Sequence, residues 1–395
     1  MSIQPEISAS YYFDNNATTR LLPQVKAKLI EVMDSDFGNP SSAHSFSDQS
    51  RYFINESRQH LAKLLNCSTS NLIFTSGATE GNAMVLRTLL EKPKESLLIS
   101  SKTEHASVHN AAEYLESKGV SVIWLSVDEN GLIRNTELED ALRQNSEYTN
   151  ILVSIVWANS ETGIVQDIES LSSTARKYGA YFHTDASQAV GRISIDLSEF
   201  AIDFLTFTGH KLHAPSGIGA VYAKNWSILS PLLIGGEQEF GMRSGTENVL
   251  HIAALGEAVR IRNEGFDSIR VQLGEFRDLF ESVLKKQLSG IEVNGEKSDR
   301  VPNTSNIFFP GIDGRALLAQ LDLRSVYCSQ TSACSSMLPE PSRTLREMGL
   351  SFDDAFSSLR FSFAIDNTEE EIKRGAELVI EAVEHLRKTS IWREQ

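Results

Sequence analysis

The sequence predicts an α/β protein: a large domain on a mainly parallel seven-stranded sheet, followed by a smaller α+β domain toward the C-terminus. Three observations carry this. Between residues 70 and 225, short apolar strands alternate with amphipathic helical stretches, the pattern of a parallel sheet covered by helices on both faces. Beyond Thr246 the pattern changes to long helices with a few strand-like pieces. A chain of 395 residues also exceeds what a single hydrophobic core usually serves, so two domains are expected.

In chain order, the sheet strands are expected at Asn71–Thr75, Ser96–Ser100, Val120–Leu125, Ile151–Val156, Ala180–Thr184, Phe204–Phe207 and Gly219–Ala223. Asn82–Leu90, Ala106–Lys118 and Ile168–Lys177 are expected to be helical. Further on, helices are expected over Asn248–Asn263 and Ile269–Gln287, strands over Ser305–Phe309 and Leu359–Phe363, and then a terminal helix. Thr368-Glu369-Glu370-Glu371 reads as a capping box for that last helix. Ile372, Ala376, Val379, Val383 and Leu386 give it one apolar stripe.

Composition narrows the function classes. With 41% hydrophobic and 23% charged residues the chain reads as an ordinary globular protein. No apolar run approaches the roughly 20 residues of a membrane span, and the first residues show neither a basic region nor an apolar stretch, so no secretory signal is expected. A formal net charge of -15 argues against a nucleic-acid surface, which needs clustered Lys and Arg. Cys67, Cys328 and Cys334 are odd in number and form no CxxC pair. A disulfide framework and a structural zinc site are therefore not expected, no metal ligands are assigned, and a reducing cytoplasm is the natural compartment.

In sheets of this kind, ligands collect at the carboxyl ends of the strands. Gly77-Ala78-Thr79, Glu104-His105, Asn159-Ser160-Glu161, Asp185 and His210-Lys211 each stand just after an expected strand. The turn Ser76–Gly81 opens a helix, and backbone N–H groups there, with the Thr79 hydroxyl, make an anion site; equally, small residues at such a turn are often structural. Asp185 is a candidate partner for a pyridinium nitrogen, or else a plain N-cap. His105 could stack on a ring and move protons, or sit as a surface polar group. Lys211, flanked by Thr208 and His210, stands outside any solvated charge run and suits a Schiff base. Together, an amine, an acid and small phosphate donors suit pyridoxal phosphate. Cys334 lies among Thr331, Ser332, Ser335 and Ser336, which suggests an exposed, reactive thiol rather than a core cysteine. Cys67 and Cys328 look structural.

These motifs resemble, nearly end to end, the cysteine desulfurases: the NifS/IscS-like group of fold-type I pyridoxal phosphate enzymes in the class-V aminotransferase family. The likeness runs through Tyr12–Thr19, Gly38-Asn39-Pro40-Ser41-Ser42, Phe74–Glu80, Glu104-His105, Asn159–Gly163, Thr184–Gly191 and Thr208–Pro215. It continues in Gly241–Thr246, Ser332-Ala333-Cys334, Glu340-Pro341-Ser342 and Leu359–Ser362. The resemblance implies a pyridoxal phosphate domain over residues 15–260. Residues 1–14 and 261–395 would form the small domain, which carries the cysteine loop. Lys211 would hold the cofactor covalently, His105 would stack on its ring, Asp185 would pair with the ring nitrogen and Gln188 would approach the phenolic oxygen. Ala78, Thr79, Thr208 and His210 would bind phosphate, with Thr246 reaching in from the second subunit of a homodimer. Ser160 stands where the family has a second asparagine, so the remaining ring-oxygen contact is expected from Asn159 or Ser160. Arg360 and Asn39 would bind substrate, Arg360 through its planar fork.

The implied reaction converts L-cysteine to L-alanine. Cys334 attacks the substrate sulfur and passes it, as a persulfide, to an acceptor protein in iron–sulfur cluster assembly or another sulfur-transfer pathway. Three other readings stay open: an aminotransferase, a selenocysteine lyase of the same fold, and a sulfur-carrier or interaction protein without activity.

Overall fold

The computed structural model describes residues 10–35, 38–330 and 340–389. Its strands are β1 (Tyr11–Tyr12), β2 (Leu72–Thr75), β3 (Ser96–Ser101), β4 (Ser121–Leu125), β5 (Asn150–Ser154) and β6 (Tyr181–Asp185). They continue with β7 (Phe204–Thr208), β8 (Gly219–Ala223), β9 (Glu292–Val293), β10 (Thr304–Phe308), β11 (Val326–Tyr327) and β12 (Ser358–Ser362). The seven-stranded sheet has the order β2-β8-β7-β6-β5-β3-β4. From β4 to β7 every pairing is parallel, and β8 runs antiparallel to both of its neighbours. Each expected sheet strand lies within two residues of the observed one. The central strands are apolar and buried throughout, which is why they announce themselves in the sequence.

Two helices differ from expectation. The helix expected over Asn82–Leu90 starts at Ala78 and ends at Arg87. Glu80 explains the early start: its carboxylate accepts the Ser76 N–H at 2.8 Å, so the small residues form the first turn instead of a loop. The expected Asn248–Asn263 and Ile269–Gln287 helices are one continuous helix of 39 residues, Val249–Gln287. Gly265 costs a helix only about 1 kcal/mol, and burial on both sides of it outweighs that. Ile252, Leu255 and Val259 pack in the core of the large sheet, whereas Leu273, Phe276, Phe280 and Leu284 pack in a second core. One helix thus ties two cores together.

The second core is built around an aromatic group. Phe13 meets Phe280 and Phe363 edge-on, at centroid separations of 5.7 and 5.3 Å. Its sheet is antiparallel in the order β12-β10-β9, and β1 pairs in parallel with β11. The N-terminal segment therefore crosses from β1 to Asp14, which bridges to Ser362 at the end of β12. The terminal helix, Glu369–Thr389, carries the expected capping box. The Glu371 N–H donates to Thr368 Oγ1 at 3.2 Å, and the Thr368 N–H donates to Glu371 Oε2 at 3.0 Å. Among the described residues, no helix is long and apolar enough to cross a membrane.

Candidate active site

At the carboxyl ends of the parallel strands lies a cavity of about 780 Å³. Lys211, His105, Asp185, Gln188, Thr208 and Arg360 all line it. Asp185 closes β6 and is buried. Its Oδ1 accepts the Ser187 N–H at 2.9 Å and its Oδ2 accepts an Asn82 Nδ2–H at 2.8 Å. Burial alone would raise this carboxyl, but His105, Ser187, Lys211 and Asn82 outweigh it and hold it below the usual range, as a carboxylate. Thr206 Oγ1 donates to Asn82 Oδ1, which fixes the Asn82 amide with its nitrogen toward Asp185.

His105 is the N-cap of the Ala106–Ser117 helix: its Nδ1 accepts the Ser107 N–H at 3.1 Å, leaving the ring proton on Nε2. Burial lowers its pKa, Asp185 opposes that and Lys211 adds to it. Lys211 ends the single turn Gly209–Lys211 that follows β7. That turn is tied down through His210, whose carbonyl accepts the Thr19 N–H at 2.9 Å and Thr19 Oγ1–H at 2.8 Å. The His210 imidazole is lowered to about 4, chiefly by burial and then by Lys211 and Arg192.

The other end of the cavity is a cradle for an anion. Gly77, Ala78 and Thr79 begin a helix of 10 residues and line the cavity. The turn lies directly on β8: a Cβ at Gly219 would come 2.7 Å from Gly77 Cα and 2.5 Å from the Phe207 carbonyl. Arg243 anchors the segment leading to Thr246 by donating from Nε to Glu80 Oε1 at 3.0 Å.

The side facing the small sheet holds Arg360, which is buried on β12. Its Nη1 donates to the Ser160 carbonyl at 3.0 Å and its Nη2 pairs with Asp14. Gln188 Nε2 donates to the Asn16 carbonyl at 3.1 Å, and Gln188 Oε1 accepts from Arg192.

Asn159 lines the cavity, but its side chain is engaged elsewhere. Oδ1 accepts from the Glu161 and Thr162 N–H groups at 2.9 and 3.0 Å, and Nδ2 donates to the Thr103 carbonyl and Thr344 Oγ1, both at 3.2 Å. Both amide protons are used within the chain, so of the two expected ring-oxygen contacts only Ser160 has its side chain unspent in the described hydrogen bonds. Thr246 and Asn39 are exposed and do not line this cavity. The Asn39 side chain instead accepts the Ser41 N–H at 2.9 Å, closing its own turn. Cys334 lies outside the described residues. The two other cysteines are poor thiolates: burial pushes Cys67 up to about 12 and pushes Cys328 higher still, with Asp14 adding to the latter.

Several participants are given no role by the sequence. Asn82, Asn16 and Asp14 stand inside stretches already singled out, but nothing in their spacing shows that they meet Asp185, Gln188 and Arg360. Glu104, wholly buried beside His105, accepts the Val156 N–H at 2.5 Å, and burial raises its carboxyl well above the usual range, with Asp185 adding to the rise. Arg343 donates to the Glu104 carbonyl at 3.1 Å from a separate short helix.

The donor set fits pyridoxal phosphate. A lysine amine, a carboxylate held ionised in a buried place, and a helix N-terminus flanked by the Thr79 and Thr208 hydroxyls face one cavity. Comparison with known proteins agrees. Residues 11–374 match the aminotransferase class-V family. A cysteine desulfurase of Trichormus azollae is 41% identical over 96% of this chain and 94% of its own length. The solved NifS-like protein from Rickettsia africae superposes with a TM-score of 0.85 at 33% identity, covering 96% of this chain and 100% of that one. The structure of SspA in complex with cysteine gives a TM-score of 0.79 at 32% identity, over 90% and 99% of the two chains. The chain belongs to the class-V aminotransferase family, in its cysteine desulfurase group, and pyridoxal phosphate is the cofactor of that family.

Proposed function

We propose that this site converts L-cysteine to L-alanine and passes the sulfur, as a persulfide on Cys334, to an acceptor protein. The carrying observation is that one cavity unites Lys211, His105, Asp185 and Arg360 at the strand ends. When bound, the cofactor supplies an electron sink that acidifies the substrate α-carbon and loosens its sulfur. The residues of the chain do the rest. The Lys211 amine would hold the cofactor aldehyde. The Asp185 carboxylate, kept ionised by His105, Ser187, Lys211 and Asn82, would hold a proton on the ring nitrogen. His105, neutral with its proton on Nε2, would stack on the ring and move protons. Arg360, which lines the cavity while its Nη1 and Nη2 hold the Ser160 carbonyl and Asp14, would bind the cysteine carboxylate through its remaining N–H groups. The helix beginning at Ala78, with Thr79, Thr208 and His210, would take the phosphate. Gln188 and Ser160 would serve the phenolic oxygen.

The Cys334 thiolate attacks the substrate sulfur; a sulfur–sulfur bond forms as the carbon–sulfur bond breaks, and alanine leaves. Two supports favour this reading over a transaminase: a relative solved with cysteine bound, and Cys334 in a hydroxyl-rich stretch, a thiol that a transaminase would not need. The functional unit is a cytoplasmic homodimer in which the exposed Thr246 of one subunit completes the phosphate site of the other. The large domain comprises residues 15–260 and the small domain residues 1–14 and 261–395, with the second aromatic core supporting that division. The acceptor belongs to iron–sulfur cluster assembly or a related sulfur-transfer pathway. Quantifying alanine and sulfide from L-cysteine, beside a Cys334→Ala variant, tests the reading.

A further inference from the structure

Among the described residues, Arg192 is a buried cation with no acidic partner. It is 3% exposed, and the charged groups that bear on it are Arg262 and Arg360, both cations. The chain from Ala186 to Ile193 is wound as a helical turn: the Arg192 and Ile193 N–H groups donate to the Ala189 carbonyl at 2.9 and 3.1 Å. That winding puts Gln188 and Arg192, four residues apart, on one face. Arg192 Nη1 donates to Gln188 Oε1 and, at 3.2 Å, to the Gln188 carbonyl. Its Nη2 reaches the Lys211 carbonyl at 3.4 Å. One guanidinium therefore touches both the glutamine and the lysine of the site.

The consequence is for the direction of an amide. A glutamine side chain can present either oxygen or nitrogen to a ligand. An arginine cannot accept a hydrogen bond, so the atom of Gln188 beside it must be the oxygen. The nitrogen is then forced toward the cavity, where one of its protons goes to the Asn16 carbonyl at 3.1 Å and the other remains for a ligand. We infer that Arg192 is a positioning residue: it locks Gln188 with its N–H groups facing the cavity, so that Gln188 donates to an anionic ring oxygen of the cofactor. The inference rests on the proposed placement of Gln188 at the phenolic oxygen, and it gives a use to a buried arginine that meets no carboxylate among the described residues. Its cost in desolvation is offset by three carbonyl-type acceptors.

The test is a pH titration of the visible absorbance of the lysine-bound cofactor. The titratable groups facing Lys211 are His105, Asp185, His210 and, through the carbonyl contact, Arg192. A donor on the phenolic oxygen stabilises its anion, so losing that donor raises the titration midpoint. Gln188→Leu is expected to raise the midpoint by about one pH unit. Arg192→Gln places beside Gln188 an amide that can accept as well as donate, so nothing then fixes which atom of Gln188 faces it. It is expected to raise the midpoint by a smaller amount, and to add nothing in the Gln188→Leu background. Cofactor content and thermal midpoint are measured alongside. If the glutamine variant does not accumulate as holoprotein, Arg192→Met replaces it with the same expectation. A Gln188→Leu shift with no Arg192 effect overturns the positioning role and leaves the Gln188 assignment standing. No shift in Gln188→Leu overturns that assignment and the inference with it. An Arg192 shift undiminished in the Gln188→Leu background shows that Arg192 acts by another route and also overturns the inference.

Discussion

Ser329 and Arg360 are joined through both of their backbone groups: the Arg360 N–H donates to the Ser329 carbonyl at 2.6 Å, and the Ser329 N–H donates to the Arg360 carbonyl at 3.2 Å. Arg360 thus belongs at once to the cavity wall and to the strand edge from which the chain continues toward Cys334. Its backbone is fixed by the ladder of β10 and β12, which leaves the side chain as the variable. Arg360→Lys keeps the charge and loses the fork. It is expected to lower kcat/KM for L-cysteine by about 10- to 100-fold, the worth of one hydrogen bond to a charged group, mainly through KM. The cofactor absorbance should be unchanged. Steady-state kinetics with a spectrum of each preparation check this.

Asn82 is expected to matter to the cofactor through Asp185. Asn82→Ala removes one of the donors that keep the buried carboxylate ionised, and should weaken cofactor retention about tenfold. A pH effect follows. The folded-state value of Asp185 is depressed, so its contribution to stability is complete above the unfolded value of about 3.9 and is lost as pH falls through the folded value. In Asn82→Ala the folded value is less depressed, so the contribution is smaller and its loss is complete at a higher pH. Acid unfolding of the two proteins, followed by circular dichroism, reads the difference.

The buried imidazoles set the pH response above that window. Burial lowers His183 to about 4 and His213 to about 3, with the cations Arg262 and Arg192 adding at His213. Both rings are neutral in the folded protein, whereas in the unfolded chain they titrate near 6.5. Between about pH 6.5 and 4 the unfolded state therefore binds more protons, and stability falls as pH falls. His183→Gln, whose amide can still meet Ser154 Oγ, should flatten the decline of the thermal midpoint across that range. Differential scanning calorimetry at stepped pH decides it; a slope equal to that of the unmodified protein would sink the assignment.

The capping box offers a control far from the site. Thr368→Ala removes the acceptor of the Glu371 N–H and should cost about 1 kcal/mol of stability with no change in kcat/KM. Chemical denaturation and kinetics on the same sample check both halves.

How much of this was readable in advance depends on whether the signal is local. The sheet strands were legible because buried parallel strands are continuous apolar runs, and Asp185 and Lys211 because strand ends mark the ligand side of such a sheet. The single helix Val249–Gln287 was expected as two, whereas one glycine, Gly265, is a weak stop when both flanks are buried. The sequence left the ring-oxygen contact open between Asn159 and Ser160, because nothing local shows that three donors of the following turn, the Glu161 and Thr162 N–H groups and the Thr162 hydroxyl, converge on the Asn159 oxygen. Arg192 gave no signal because its role is defined by what lies across the fold, Lys211 and Arg262, not by its neighbours in sequence.

The central claim is that sulfur leaves cysteine through Cys334, and the most direct measurement is the yield of alanine and sulfide from L-cysteine under reducing conditions, for the holoprotein and for Cys334→Ala. Equal amounts of the two products, falling at least a hundredfold in the variant while its cofactor content stays the same, is the expected result, because a missing nucleophile removes a step that binding cannot replace. Undiminished sulfide from Cys334→Ala would contradict the account and move the nucleophile elsewhere.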